Sequence, residues 1–473
     1  MRSAVVLTSV ALSLFAAVAC ATSNDEPPPP PNEEGPKALP DGGVKEDAAP
    51  DSAPPIVPSC SNGGWCSTTL PDQDLTLKDI WPFETRAFAI AESENLGVKV
   101  LEWDETTRVW SYIDDNTQNS FAFDSHAGKI WAPNENELYF GAGPGFIYHG
   151  KRSAKASPWS WERSQLDDNS HDASADHDHG HVEYLNPSYL LHEATAIGVW
   201  GTSADDVYAW YANTIFHWNS KDGGAPAWVP EYIADDVDNG ADTFFVFGAS
   251  GSGPDDIWFA GGRGRYGDWN VFRCPLVIHK TGGVYRRVVD NVINEVEFSD
   301  YYSNTCLPKD GALAFEWTTP RGDTGPWSNG GFLTNIEAVG PGRAVGVVGE
   351  DLFAYVESAG EGLARVNRVA AKVPRDALPS LVNSVWVQGT ETWLSGWGMV
   401  LRTPNDPAKW SSGLGLFTPD DIQRLGIDAA TFSFSPTAIN GSPLDTPLHQ
   451  VRGTSNTNLW AIGLHYALHK TTP

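Results

Sequence analysis

The chain predicts an all-β fold, a seven-bladed β-propeller, with six or eight blades as the alternatives. Two recurrences predict it. The first is a short phrase whose cleanest copy is Val199-Trp200-Gly201-Thr202-Ser203-Ala204-Asp205-Asp206-Val207-Tyr208-Ala209. Related phrases stand at Ile80-Trp81, Ile130-Trp131, Ile336-Glu337, Val385-Trp386 and Val451-Arg452. In each, the centre of the next strand lies seven residues on, at Phe88, Leu138, Val207, Ala344, Trp393 and Leu459. The second is an apolar phrase that follows, as in Ile215-Phe216-His217-Trp218. Such repetition marks radially repeated sheet modules rather than one irregular enzyme core.

The first residues are not fold. Arg2 precedes an apolar run that ends Ala17-Val18-Ala19-Cys20, the form of an export signal over 1–19. The run is too short for a bilayer span. Its last residues resemble the bacterial lipobox, which implies that Cys20 is lipidated and becomes the mature N-terminus. Ala21 and Thr22 follow, with no aspartate directly after the cysteine. By resemblance to the sorting rules of Gram-negative lipoproteins, this implies the outer membrane, facing periplasm or exterior. Residues 20–58 read as a tether, with an unbroken run Pro27 to Pro31, several acids and almost no large apolar groups. Such a segment cannot offset its ordering entropy. No other run resembles a membrane span, so membrane contact is expected through the lipid alone.

Of five cysteines, four remain once Cys20 is set aside. Local pairing, Cys60 with Cys66 and Cys274 with Cys306, is the simplest assignment in an oxidising compartment. There is no Cys-x-x-Cys pair, so thiol redox chemistry and a zinc ribbon find no support.

The head, 59–473, reads as one propeller with insertions at about 167–192 and 263–324. In the cleanest unit, Ala196 to Trp200 is a first strand and Thr202 to Asp206 a polar turn. Val207 to Tyr211 and Thr214 to Trp218 are the second and third strands. Trp228-Val229-Pro230 opens an outer fourth, where proline is tolerated at an edge. The third-strand phrase returns at Val100-Leu101-Glu102-Trp103, Phe146-Ile147-Tyr148-His149, Val277-Ile278-His279-Lys280, Leu352-Phe353-Ala354-Tyr355, Met399-Val400-Leu401-Arg402 and Tyr466-Ala467-Leu468-His469-Lys470. With a divergent fourth unit at Phe245 to Phe259, the count is seven. The seventh stops after its third strand. The segment Trp65 to Leu70 is expected to supply the missing outer strand and remove an open edge. Trp81, Trp131, Trp200, Trp258, Trp386, Trp393 and Trp460 sit at recurring positions, where aromatics pack wedge-shaped blades or line a sugar-binding face.

These phrases resemble the repeats of exported β-propeller lipoproteins abundant in myxobacteria, whose pattern is roughly Val-Trp-Gly-Ser-x-x-x-Asp-Val-Trp-Ala-Val-Gly followed by Ile-Leu-His-Trp. The resemblance covers about residues 75 to 470, closest in units three, four, six and seven. It implies architecture and names no catalytic residue.

A formal net charge of −29 disfavours nucleic-acid binding, which needs clustered Lys and Arg. It suits surface exposure or divalent cations. Two acidic stretches are candidate metal sites. One holds His171, Asp172, His177, Asp178, His179 and His181, residue types that take a transition metal. The other holds Asp236 and Asp238, superficially a calcium loop, although its spacing is not that of the twelve-residue calcium-binding pattern. In the 263–324 stretch, Tyr301, Tyr302 and Trp317 are candidate recognition residues, because insertions on repeat scaffolds carry binding. There is no Gly-x-Ser-x-Gly elbow, His-Glu-x-x-His helix, P-loop or dinucleotide fingerprint. The expected function is a surface-anchored, non-catalytic binding or scaffold propeller that recognises a protein or glycan. The alternatives are a carbohydrate-active lyase or hydrolase at the propeller channel, and a metal-binding sensory lipoprotein.

Overall fold

A computed structural model describes residues 60–119, 125–170, 195–219, 225–236, 242–266, 271–294, 305–318, 324–327, 330–349, 352–369, 371–372, 382–405, 416–417, 433–437, 439 and 444–472. Its strands form seven blades. Blade one is Thr76–Pro82, Arg86–Ser93, Gly97–Asp104 and Val109–Tyr112; blade two is Ala127–Asn134, Glu137–Ala142, Phe146–Lys151 and Ser160–Gln165. Blade three is Ile197–Ser203, Asp206–Tyr211, Thr214–Asn219 and Ala227–Ile233; blade four opens with Thr243–Gly253, Asp256–Tyr266, Val271–Thr281 and Val284–Asn294. Blade five is built on Leu333–Gly340, Arg343–Val348, Leu352–Glu357 and Leu363–Arg368; blade six is Val382–Gln388, Glu391–Gly396, Met399–Pro404 and Ser433–Ser435. Blade seven takes Leu448–Ser455, Asn458–Gly463 and Tyr466–Lys470. Each blade's first strand lies against that of the next, and the seventh lies against the first, so the ring is closed.

The N-terminal strand makes that closure, as the sequence leads one to expect. Trp65–Ser67 pairs antiparallel with Tyr466–Lys470, Trp65 opposite Lys470. Trp65 is fully buried, and its indole N–H donates to the Ser435 hydroxyl of blade six at 2.9 Å. The strand has only three residues. It is braced by the Cys60–Cys66 disulfide, while a second disulfide joins Cys274 to Cys306.

The register explains the repeat. Val199 pairs with Ala209 and Trp200 with Tyr208 across a tight turn with a bulge after Gly201. In that turn the Ser203 hydroxyl accepts the Asp205 N–H, and Thr202 donates to the Asp206 carboxylate. Glycine at 201 is a packing requirement: a Cβ there would lie 2.8 Å from the Trp131 ring of the preceding blade.

The second and third strands add a pairing that the repeat pattern alone does not show. Tyr139, Tyr208, Trp258 and Trp460 stack flat on His149, His217, His279 and His469, with centroids 3.9, 4.3, 3.9 and 4.0 Å apart. Glu137, Asp206, Asp256 and Asn458, two residues before each aromatic, hydrogen-bond the imidazole Nε2. The histidines of the third-strand phrase are therefore tied into the blades.

The 263–324 stretch departs from the repeat in a specific way. Its described residues up to Asn294 belong to the blade-four strands ending at Tyr266, Thr281 and Asn294, which run to eleven residues each. Thr305–Pro308 adds a fifth strand beside Val284–Asn294. Phe315–Thr318 then runs parallel to Leu363–Arg368 and pairs with Thr324–Pro326, so blade five has six strands.

Candidate recognition site at the propeller axis

The position occupied by Trp200 recurs in every first strand. Register places Trp81, Trp131, Trp200, Ser250, Glu337, Trp386 and Arg452 opposite Phe88, Tyr139, Tyr208, Trp258, Val345, Trp393 and Trp460. Two residues earlier on the same strand face stand Asp79, Lys129, Gly198, Gly248, Asn335, Ser384 and Gln450. Three of these earlier residues stitch neighbouring blades. Asp79 accepts the Ile130 N–H at 3.0 Å, Asn335 the Val385 N–H at 3.1 Å, and Ser384 the Val451 N–H at 2.8 Å. A buried first strand leaves backbone donors on its inner edge, and these side chains satisfy them.

At the tryptophan position, blades that are not neighbours meet. Arg452 of blade seven reaches Glu337 of blade five at 3.7 Å, although blade six lies between them in the ring. Arg452 also stands 3.5 Å from Asp79 of blade one, donates to the Ile80 carbonyl at 3.1 Å, and lies over the Trp81 ring at 4.8 Å. Glu337 accepts the Ser250 hydroxyl of blade four at 2.8 Å, and Ser250 accepts the Ala338 N–H. Trp81 meets Trp131 edge-on at 6.3 Å. Such cross-ring contacts arise only around the axis. The Arg452 and Glu337 side chains keep 13% and 16% of their surface, so solvent reaches the pair. Burial pushes the Glu337 carboxyl above its ordinary value and Asp79 pushes the same way, against Arg452 and Ser250.

Other ionic groups are closed in on one another. Arg263, fully buried, donates to Asp236 at 2.7 Å, Asp242 at 2.8 Å and Asp290 at 2.8 Å. Lys309 adds to Asp236, Arg265 to Asp242 and Arg287 to Asp290. Glu102 is shared by Arg86 and Arg152. Between blades three and four, Glu231 hydrogen-bonds His217 at 2.9 Å and the Tyr285 hydroxyl at 2.8 Å, with Lys280 at 3.5 Å. Burial works to raise the Glu231 carboxyl, but these three partners outweigh it and hold it down at about 2.

Of the residues singled out from sequence, Asp236 thus lies in the Arg263 cluster. Asp238, the six histidines and aspartates from His171 to His181, Tyr301, Tyr302 and Cys20 lie outside the described residues. Trp317 is 44% exposed on the hairpin added to blade five, away from the axial group in the blade order. Among the described residues no group of three or more His, Cys, Asp or Glu side chains is arranged to hold a metal ion. Glu337 and Arg452 were missed as site residues, although the signal was present: they interrupt the tryptophan column of the repeat.

No protein-family model matches the chain, and no curated protein does. Solved structures are similar in fold. One is described as YCF48 bound to D1 peptide, 10% identical with a TM-score of 0.47, the match covering 88% of this chain and 100% of that one. YCF48 from Cyanidioschyzon merolae is 9% identical with a TM-score of 0.46, covering 87% and 99%. The WD40 β-propeller domain of Doa1 is 10% identical with a TM-score of 0.44, covering 85% and 94%. At such identities none carries a function across. The chain is an all-β, seven-bladed β-propeller.

Proposed function

We propose that this chain is a surface-anchored binding propeller that recognises a protein or glycan at the axial end of its ring. One observation carries the reading. Where four blades place tryptophan, blades five and seven place Glu337 and Arg452, which face each other at 3.7 Å, longer than a hydrogen bond. Around them, Trp81 is half-buried and Trp200 and Trp386 keep 9% and 6% of their surface. Aromatic faces with a few convergent polar groups are the ingredients of a recognition site. The buried Arg263, by contrast, has its three aspartates at hydrogen-bond distance. In this reading Cys20 carries the lipid, residues 20–58 form the tether and the outer membrane holds the anchor, as the lipobox resemblance implies. The test is a glycan and peptide array probed with the wild-type chain and with Arg452→Met. Ligands lost in the variant support the reading. Ligands bound equally by both chains, or repeated turnover of a bound glycan, overturn it.

A further inference from the structure

The segment that shuts the ring is held by a bond that chemistry can break and remake. Cys60 and Cys66 face each other across an antiparallel bridge and close a loop over Ser61 to Trp65. That loop grips both sides of the seam between blades six and seven. Beside blade six, the Ser61 hydroxyl donates to the Pro436 carbonyl at 2.6 Å, and Gly63 leaves no room for a Cβ against the same oxygen. On blade seven, Trp65–Ser67 pairs with Tyr466–Lys470, and the Thr68 N–H and hydroxyl donate to the Ala467 carbonyl at 3.0 and 2.8 Å. Trp65 meets Trp393 of blade six edge-on at 6.4 Å. It packs in one apolar group with Trp386, an axial ring, and with Val451, the residue before Arg452. The two disulfides differ in access. Cys60 is exposed and Cys66 half-buried, whereas Cys274 and Cys306 keep 1% and 2% of their surface. Thiol–disulfide exchange needs a thiolate to reach a sulfur, so access decides which bond reacts.

Independently of what the axis binds, we infer that Cys60–Cys66 is a redox-sensitive latch on the ring, opened by a dithiol reductant. One thiolate of the reductant attacks the exposed Cys60 sulfur. The Cys60–Cys66 bond breaks, and the Cys66 thiolate leaves and takes a proton. The reductant's second thiolate then displaces Cys60 and closes the reductant's own disulfide. The dithiol has lost two electrons and two protons, and both cysteines end as thiols. The bond restricts the segment once it has left the blade. Without it the released segment gains the entropy of an open loop, and release becomes more frequent by roughly tenfold or more. The strand pairing and the buried Trp65 remain, so the reduced ring opens and recloses rather than unfolding. Each opening bares the edge of Tyr466–Lys470, a row of backbone groups that the latch otherwise covers.

The experiment takes the purified full-length chain through graded dithiothreitol without denaturant. Thiols freed at each step are alkylated and located by peptide mass spectrometry, and amide exchange is followed in Trp65–Ser67 and Tyr466–Lys470. Cys60 and Cys66 should be alkylated at least about tenfold faster than Cys274 and Cys306. With only the first pair reduced, exchange in both strands should rise about tenfold, while Ile197–Ser203 of blade three stays protected. Reoxidation should restore the slow exchange. A double variant, Cys60→Ser with Cys66→Ser, should exchange like the reduced chain and no longer respond to dithiothreitol. Reduction of both pairs at one rate, or of Cys274–Cys306 first, overturns the inference. So does selective reduction that leaves exchange in both strands unchanged. If the double variant does not fold, as judged by its melting curve, the reoxidation arm on the wild-type chain decides. Exchange that stays raised after Cys60–Cys66 has re-formed overturns the latch, and exchange that returns to its first value supports it.

Discussion

Buried charges in this ring are held in groups, and the groups set what a single substitution does. Arg263 sits among three carboxylates with none of its surface exposed. Removing one member of a buried ionic group strands the others, which costs about 3–5 kcal/mol. Arg263→Met is expected to cost that much in urea unfolding, with the largest gain in amide exchange in Val284–Asn294. His449 makes a second prediction. Burial, with the Lys78 charge beside it, lowers this imidazole to about 3, against a backbone hydrogen bond to Leu77 that acts the other way. Its folded pKa lies below the unfolded value, so between pH 6.5 and 3 the unfolded chain binds more protons. The stability contributed by neutral His449 is complete above pH 6.5 and declines as pH falls. At pH 5 the loss is about 2 kcal/mol. Urea midpoints at pH 7 and pH 5 should therefore differ less in His449→Gln than in the wild type. A pH dependence unchanged by the substitution would contradict the assignment.

The elements divide into those legible from sequence and those set by distant pairing. Inner and second strands were legible because alternation and a turn of small polar residues are local. The Trp65 strand was legible because the seventh repeat shows three strands and the segment Trp65 to Leu70 precedes the first unit. The Glu137–His149 and Asp206–His217 pairs were not, since each depends on cross-strand register. The parallel strand Phe315–Thr318 was hidden for the same reason: its partner, Leu363–Arg368, lies beyond four further strands. Closure carries its own prediction. Trp65 is the fully buried anchor of a three-residue strand, and truncating a buried tryptophan to alanine costs about 3–5 kcal/mol. Trp65→Ala is expected to do so and to speed amide exchange in Tyr466–Lys470. Reducing the Cys60–Cys66 disulfide should speed exchange in the same strand, while blade three, on the far side of the ring order, stays protected. Exchange rising equally in all blades would show instead that the ring opens as one unit.

For the whole molecule, closure creates the candidate site as well as stability. Glu337 and Arg452 are remote in sequence and belong to blades separated by a third. No local pattern pairs them, and they meet because the seventh blade returns to the first. The repeat made the scaffold readable, and its interruptions at the tryptophan column mark the axis. The peripheral candidate, exposed Trp317 on the blade-five hairpin, is the competing location for recognition. The most direct measurement takes a ligand selected on the array and compares its affinity for Arg452→Met and Trp317→Ala, both checked for wild-type melting. The axial account predicts at least a tenfold loss in Arg452→Met and an unchanged affinity in Trp317→Ala. The reverse pattern, with binding lost at Trp317 and kept at Arg452, would contradict it.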